Sequence, residues 1–255
     1  TIRINQVKTD RSKLKKTLIE LGFSAIESAL SDKVLIVSGS GILETQLYKD
    51  GLFSVQDEAS VIAIETLAPI ENDIVADVCA APGGKSLAIA ELMGNKGKIY
   101  SMDIYDHKLS LIEGEAKRLG ISIINVLNHD GQIPKESLIN KCNKVLVDGP
   151  CSGLGVIRKK PEIKYKAIID DGVALGEKQL QILNASSKYL LDGGTLLYST
   201  CTINKIENES VIEHFLNINK NFDLVEKKQF LPNIDGTDGF FICKMKKNHN
   251  LKGEK

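Results

Sequence analysis

Two cysteines stand where a thiolate could do covalent work. Cys151 follows Asp148-Gly-Pro, and Cys201 follows Tyr198-Ser-Thr. Each lies in small polar residues just past a β-rich run, which places both at the rim of one cleft rather than on an apolar face. A thiolate that adds to C6 of a pyrimidine pushes electron density onto C5, and that carbon can then accept a methyl group. The chemistry asks for electropositive surroundings that favour the thiolate, and Lys85 is the candidate. It also asks for an acid at ring N3, for which Asp148 is the candidate, and for a group that takes the C5 proton, a task open to Cys151 or its local water. Cys142 and Cys243 read as buried structural thiols, while Cys79 fits either role.

The segment Asp77-Val-Cys-Ala-Ala-Pro-Gly-Gly-Lys-Ser86 ends one β-rich run and opens a helical one. Its small members Cys79, Ala80, Ala81, Pro82, Gly83 and Gly84, ahead of Lys85, let backbone approach a ligand. Both glycines are expected in dihedrals closed to a side chain. Gly84-Lys85-Ser86 imitates the end of a phosphate-binding loop, but that motif demands glycine where Cys79 stands. Asp77, Asp103, Asp130 and Asp148 fall at or just past the ends of four consecutive predicted strands. In a doubly wound sheet that edge binds nucleosides, and Asp103 is placed to take both hydroxyls of a ribose.

These residues need a scaffold, and the hydrophobic pattern supplies one. Strands are predicted at 74–78, 98–102, 122–126, 144–148 and 195–199, alternating with helices at 84–93, 106–119, 174–191 and 205–217. The alternation argues for an α/β fold with a doubly wound, mostly parallel sheet. In the third helix Leu175, Ile182, Leu183 and Leu190 recur on one face, which should lie on the sheet. Phe222 to Val225 and Gly239 to Cys243 flank a loop at 232–238 and read as a closing β-hairpin. Residues 1–70 differ, with a basic helix at 11–21, a strand at 33–37 and a helix from about Val55 to Leu67, started by Ser54 and Asp57 as a capping box. The expected division is a small αβ RNA-binding subdomain over 1–70, a catalytic domain over 71–247 and a flexible tail over 248–255.

Lysine plus arginine and aspartate plus glutamate number 33 each, so net charge neither favours nor excludes nucleic acid. Two local excesses could meet phosphates: Arg3, Lys8, Arg11, Lys13, Lys15 and Lys16, and the run Arg158, Lys159, Lys160, Lys164 and Lys166. Solvated surface is the plainer alternative, since only Arg3, Arg11, Arg118 and Arg158 among the basic residues are arginine. Five cysteines without a CxxC pair or a zinc spacing suggest no metal and a reducing cytoplasm. The longest apolar runs fall far short of the ~20 residues that span a bilayer, so no membrane role is expected. Thr1 in place of an initiator methionine reads as a fragment or processed chain without a signal peptide. Nothing in the sequence speaks to assembly, and a monomer is assumed.

Six ordered blocks resemble a known family. They are Val55-Gln-Asp-Glu-Ala-Ser60, Cys79-Ala-Ala-Pro-Gly-Gly-Lys85, Asp148-Gly-Pro-Cys151 with Gly155-Val-Ile-Arg-Lys-Lys-Pro161, Ser199-Thr-Cys-Thr202, Glu207-Asn-Glu209 and Asp238-Gly-Phe-Phe241. The chain resembles the RNA cytosine-C5 methyltransferases of the Nop/Sun group, and within it the bacterial Sun (Fmu, RsmB) type that modifies small-subunit ribosomal RNA. The resemblance implies a class I (Rossmann-like) methyltransferase domain, with S-adenosylmethionine surrounded by Cys79 to Lys85, Asp103, Asp130 and Asp148. It further implies Cys201 as the nucleophile, Cys151 as the residue that helps break down the covalent intermediate, and an upstream helical RNA-binding domain before this chain. Gly149, Leu154 and Lys108 depart from the more usual alanine, threonine and arginine, and none of these removes a reacting atom.

Two rivals stay in view. The same chemistry could serve transfer RNA, or the chain could be an RNA-binding assembly factor that keeps the cofactor fold without turnover. The presence of both cysteines argues against the second. A protein-amide methyltransferase needs an Asn-Pro-Pro-Tyr type loop where Asp148-Gly-Pro-Cys stands. A target base must leave its stack to reach a sheet edge, so a single-stranded or bulged cytosine is expected.

Overall fold

The computed structural model describes residues 1–165 and 169–249. Lys166 of the second basic run and residues 250–255 of the expected tail lie outside them. The chain opens with β1 (Ile2–Ile4), α1 (Arg11–Glu20), β2 (Ser24–Glu27), β3 (Val34–Ser38), α2 (Gln46–Lys49) and β4 (Phe53–Val55). The four strands form an antiparallel sheet in the order β2-β3-β1-β4. Leu14 and Leu18 of α1 close one face over Ile2, Ile4, Leu35 and Phe53. Sequence reading finds only β3 of these strands, because the other three have three or four residues and leave no alternation to see.

Next comes α3 (Glu58–Leu67). It begins three residues later than expected, since Val55 is spent in β4 pairing with Ile2. Its cap is Asp57, whose side chain accepts from the Ala59 N–H, and Ser54 takes no part in it. By packing, α3 goes with the larger sheet: Ala59, Ala63, Ile64 and Leu67 share a core with Val75, Leu146 and Leu197.

That sheet is built from β5 (Ile74–Val78), α4 (Gly84–Leu92), β6 (Lys98–Asp103), α5 (Asp106–Leu119), β7 (Ile124–Asn128), β8 (Cys142–Asp148), α6 (Ile169–Ser187), β9 (Leu190–Thr200), α7 (Glu209–Ile218), β10 (Phe222–Phe230), α8 (Pro232–Asp235) and β11 (Phe240–Lys247). Its order is β10-β11-β9-β8-β5-β6-β7, parallel from β9 to β7, with β11 and β10 added antiparallel as the hairpin. Strand side chains alternate between two helical layers. Ala76, Val145, Val147, Leu196 and Tyr198 meet Ile182, Leu183, Val211 and Phe215 on one face, and Val75, Leu146 and Leu197 meet α3 and α4 on the other. The chain runs outward from β5 to β7 and returns at β8 beside β5, so a crevice opens at the carboxyl ends of these two strands.

Three boundaries move for local reasons. β7 starts at Ile124 because the Ile121 N–H closes α5 on Ala116 O and the Ser122 N–H is taken by Asn95 Oδ1. α6 stops at Ser187, and Leu190, expected on its buried face, is in β9 paired with Cys142. No glycine or proline marks that stop, and the Gly193-Gly194 pair lies inside β9. α7 starts at Glu209 because residues 205–208 form a turn closed by Asn208 N–H to Lys205 O. Among the described residues no helix is long and apolar enough to cross a membrane.

Candidate active site

β8 and β9 run side by side and end in register, Asp148 opposite Ser199. Three and two residues further, the loops they release bring Cys151 Sγ and Cys201 Sγ to 3.0 Å. The same loops are stitched to the C-terminal hairpin: Gly155 N–H donates to Cys201 O (3.0 Å) and Gly239 N–H to Gly155 O (2.9 Å). A Cβ on Gly155 would fall 1.8 Å from Gly239 O, so only glycine permits this approach.

The two thiols differ. The hydrogen bond from Cys151 holds Cys201 below the ordinary thiol range, against burial and the Asp148 charge and with help from Lys85. The same bond, together with burial, pushes Cys151 well above that range. Cys201 is therefore the sulfur that ionises first, with Cys151 as its S–H donor. Cys79, at the cleft wall, is pushed up to about 12 by burial and by the Asp103, Asp148 and Asp77 carboxylates, which leaves it an inert thiol. Cys142 and Cys243 are fully buried, as expected.

Lys85 Nζ lies 2.7 Å from Asp148 Oδ2, and Ser199 Oγ donates to Asp148 Oδ1 at 2.8 Å. Burial pulls the Lys85 ammonium down, but the charge and hydrogen bond of Asp148 outweigh it and hold it above its usual value. Asp148 thus accepts one hydrogen bond on each oxygen, from Lys85 and from Ser199. The Phe240 ring stands 5.2 Å from Lys85 Nζ, a cation–π contact that gives the C-terminal aromatic block a place in the site.

In the glycine loop, Gly83 has φ +103° and an added Cβ would lie 2.9 Å from Ile112 Cγ1, whereas Gly84 is helical and has no such constraint. The second left-handed position is Cys79, at φ +69°. Ala80 N–H donates to Met102 O (2.8 Å) and Ala81 N–H to Asp103 Oδ2 (3.3 Å), which ties the loop to the end of β6. A cleft of about 330 Å³ opens there, lined by Cys79, Ala81, Asp103, Asp130, Asp148, Cys151 and Cys201. Ala80, Pro82, Gly83 and Gly84 shape the loop, and Lys85 acts through Asp148.

Asp77 is not at the edge with the other three acids. It is the penultimate residue of β5 and fully buried, accepting from Ser86 Oγ at 2.5 Å, and burial pushes it up to about 7. Asp130, by contrast, is held below the usual carboxylate range by the Gln132 backbone N–H. Tyr105, Lys108, His129 and Lys178 also line the cleft. Of these, Lys108 carries a sequence signal through the family pattern, where arginine is more usual, and Tyr105 carries one as an aromatic two positions past the strand-end acid. Lys178 reaches the cleft from mid-α6 and becomes visible only once the helix is docked.

The basic clusters are largely spoken for. Arg3 is buried on Glu91 (2.8 Å), Lys8 bonds Asp50 O and Arg118 O, and Arg11 and Lys15 pair with Glu27. Arg158 binds Asp238 and Lys159 bridges Asp238 and Asp57, clamping the loop after Cys151 to the C-terminal turn. Lys13, Lys160 and Lys164 remain exposed for a phosphate.

Residues 64–246 match the family described as 16S rRNA methyltransferase RsmB/F. The chain is 40% identical, over 97% of its length, to the Bacillus subtilis (strain 168) protein named probable ribosomal RNA small subunit methyltransferase B, and spans 59% of that protein. It is 33% identical, over 98% of its length, to a Mus musculus protein named 28S rRNA (cytosine-C(5))-methyltransferase, of which it spans 35%. The crystal structure of PH0851 superposes on 96% of the chain with a TM-score of 0.93 at 33% identity, and 59% of that chain is covered. With fold, loop and sequence match in agreement, the chain belongs to the 16S rRNA methyltransferase RsmB/F family.

Proposed function

We propose that this chain is the catalytic part of an S-adenosylmethionine-dependent enzyme that methylates C5 of a cytosine in small-subunit ribosomal RNA through a covalent Cys201 adduct. The observation that carries the reading is the 3.0 Å approach of the Cys151 and Cys201 sulfurs at the cleft rim, a contact that favours the Cys201 thiolate. The bacterial relative's name favours small-subunit ribosomal RNA over transfer RNA as substrate. A reducing cytoplasm suits a site that depends on two free thiols.

The cleft fits a nucleoside-bearing methyl donor. The Asp103 carboxylate takes one backbone N–H on each oxygen, from Ala81 and Tyr105, which leaves lone pairs for a ribose diol. Asp130 offers further acceptors across the cleft, and the Gly83 turn keeps the loop backbone close. Bound there, the donor supplies a sulfonium methyl, an electrophile whose sulfur departs as a neutral thioether.

The remaining steps belong to the chain. Cys201 thiolate adds to C6 as a proton passes from the Lys85–Asp148 pair to N3, which makes C5 nucleophilic, and N3 returns that proton to the pair when the C5=C6 bond re-forms. After C5 has taken the methyl, a water on the Cys151 side takes its proton, the C5=C6 bond re-forms, and Cys201 leaves as a thiolate. The Cys151 S–H that stabilised this thiolate before attack stabilises it again on departure. Methyl transfer to a small-subunit ribosomal RNA transcript, with bisulfite mapping of the product, tests the reading. Cys201→Ala should lose at least ~10³-fold in rate while calorimetry still detects S-adenosylmethionine binding. Retained turnover by that variant would assign the nucleophile elsewhere.

A further inference from the structure

Glu207 touches no part of the cleft, yet it is fully buried and is the most heavily hydrogen-bonded carboxylate near the thiols. Its Oε2 accepts the Ser152 backbone N–H (2.7 Å) and Gln179 Nε2 (3.3 Å). Its Oε1 accepts Ser152 Oγ (2.6 Å), Asn204 Nδ2 (3.1 Å) and, more distantly, Thr202 Oγ1 (3.4 Å). Ser152 is the residue after Cys151, and Thr202 is the residue after Cys201. One carboxylate therefore grips both loops at the positions next to the sulfurs.

The hydroxyl protons run in one direction. Asn204 N–H donates to Thr202 Oγ1 (3.2 Å), Thr202 and Ser152 hydroxyls are 2.8 Å apart, and Ser152 Oγ–H is committed to Glu207. Thr202 Oγ–H is consequently shared between Ser152 Oγ at 2.8 Å and, more weakly, Glu207 Oε1 at 3.4 Å, and every group that hydrogen-bonds the Glu207 carboxylate is a donor to it. Gln179 Nε2 also donates to Pro150 O (2.8 Å), and Tyr198 Oη donates to the Glu207 backbone O (2.6 Å), so the knot reaches the residue before Cys151 and the strand before Cys201. Only a group that accepts on both oxygens satisfies this arrangement. An amide of the same shape would set its NH₂ against a donor whichever way it turned.

We propose that Glu207 is a positioning residue: through Ser152 and Thr202 it fixes the distance between the Cys151 and Cys201 sulfurs, on which both the activation and the release of Cys201 depend. The inference rests on the reading of Cys201 as nucleophile, but its first test needs no RNA. Glu207→Gln keeps the volume and turns one acceptor into a donor. The loops should part, and Cys201 should lose the Cys151 hydrogen bond that keeps it acidic.

The experiment follows iodoacetamide labelling of the Cys201 peptide by mass spectrometry across pH in the whole chain, with a melting curve for each variant. Glu207→Gln should label Cys201 about five- to tenfold more slowly at pH 7, with the labelling profile displaced to higher pH. Given a ribosomal RNA transcript, it should also leave a larger denaturation-resistant protein–RNA fraction than the wild-type chain, because release is slowed. Folded Glu207→Gln with a wild-type labelling profile and wild-type adduct fraction overturns the proposal. Should Glu207→Gln fail to fold, Ser152→Ala breaks the same relay at a half-buried position and should move both readouts in the same direction. A folded Ser152→Ala with wild-type behaviour overturns it equally. A Cys201→Ala chain that still methylates RNA refutes the nucleophile assignment instead, whatever the labelling profile shows.

Discussion

Cys151 Sγ and Cys201 Sγ lie 3.0 Å apart although 50 residues separate them, because β8 and β9 are parallel neighbours that end at the same level. A thiol pair at that distance shares one proton unequally, and the surroundings decide which sulfur keeps it. The Cys151 hydrogen bond, helped by Lys85, outweighs burial and the Asp148 charge at Cys201, so the negative charge settles there.

Removing Cys151 should therefore act on two steps with opposite visibility. Without its S–H donor, Cys201 ionises at higher pH, so the acid limb of the pH profile for adduct formation should move up in Cys151→Ala. The adduct, once formed, should persist, because the leaving thiolate has lost the same donor. A gel-stable protein–RNA band that accumulates with slow turnover is the expected outcome. Normal turnover with no band would remove Cys151 from the mechanism.

The site was legible in the sequence to the extent that strand ends announce themselves. Asp103, Asp130, Asp148, Cys151 and Cys201 each follow a β-rich run, and a parallel sheet must bring such residues to one edge. Asp77 breaks the rule because it precedes the strand end by one residue, and in a strand that turns the side chain to the opposite face. The glycine pair misleads in a related way: type alone cannot say which of Gly83 and Gly84 bears the turn, since the helix begins between them. Arg158 and Lys159 read as phosphate contacts because their partners, Asp57 and Asp238, lie 102 and 79 residues away from Lys159. Of the small antiparallel sheet only β3 was legible, because the other three strands are too short to carry a period.

The glycines give a paired test. Gly83→Ala combines a left-handed φ with a Cβ 2.9 Å from Ile112 Cγ1, which together cost about 2–3 kcal/mol. Its Tm should fall by roughly 5–10 °C. An added Cβ at Gly84 meets only Gln56 Nε2 at 3.5 Å, an ordinary contact on helical backbone. Gly84→Ala should melt at or slightly above the wild-type temperature, since alanine there favours the helix by up to about 1 kcal/mol. Equal losses in the two variants would show that the strain is not confined to Gly83.

Asp77 sets a pH dependence of stability. Its folded value, about 7, is raised from an ordinary 3.8 by burial, so well below pH 3.8 the carboxyl is protonated in both states and adds no penalty. Between pH 4 and 7 the unfolded chain releases a proton that the folded chain retains, and the stability this group allows is lost as pH rises, by on the order of 4 kcal/mol in full. Asp77→Asn has no such titration. The difference in Tm, wild type minus Asp77→Asn, should therefore fall steadily from pH 4 to 7 and flatten above. A constant difference over that range would mean that Asp77 is not held protonated beneath the loop.

Arg3 and Glu91 join the small sheet to the helix behind the glycine loop, at 2.8 Å with each side chain only 3% exposed. Arg3 Nη1 also donates to Gly84 O (2.9 Å) and bonds Gln56, so the pair anchors the first turn of α4 from outside the seven-stranded sheet. Burial pushes Glu91 above the usual carboxylate range, and Arg3 opposes that push. Arg3→Met removes the opposition and leaves a buried carboxyl that resists ionising. The loss relative to wild type should be small below about pH 4, where Glu91 is protonated in the folded and the unfolded chain alike, and should grow above it towards about 3–5 kcal/mol near neutrality. Adding Glu91→Met removes the stranded acid and should restore most of the loss and abolish its pH dependence. Chemical denaturation of the three variants at pH 4 and pH 7.5 decides the matter: a double variant no more stable than Arg3→Met at the higher pH would mean that the bonds to Gly84 and Gln56, rather than the ion pair, hold the two sheets together.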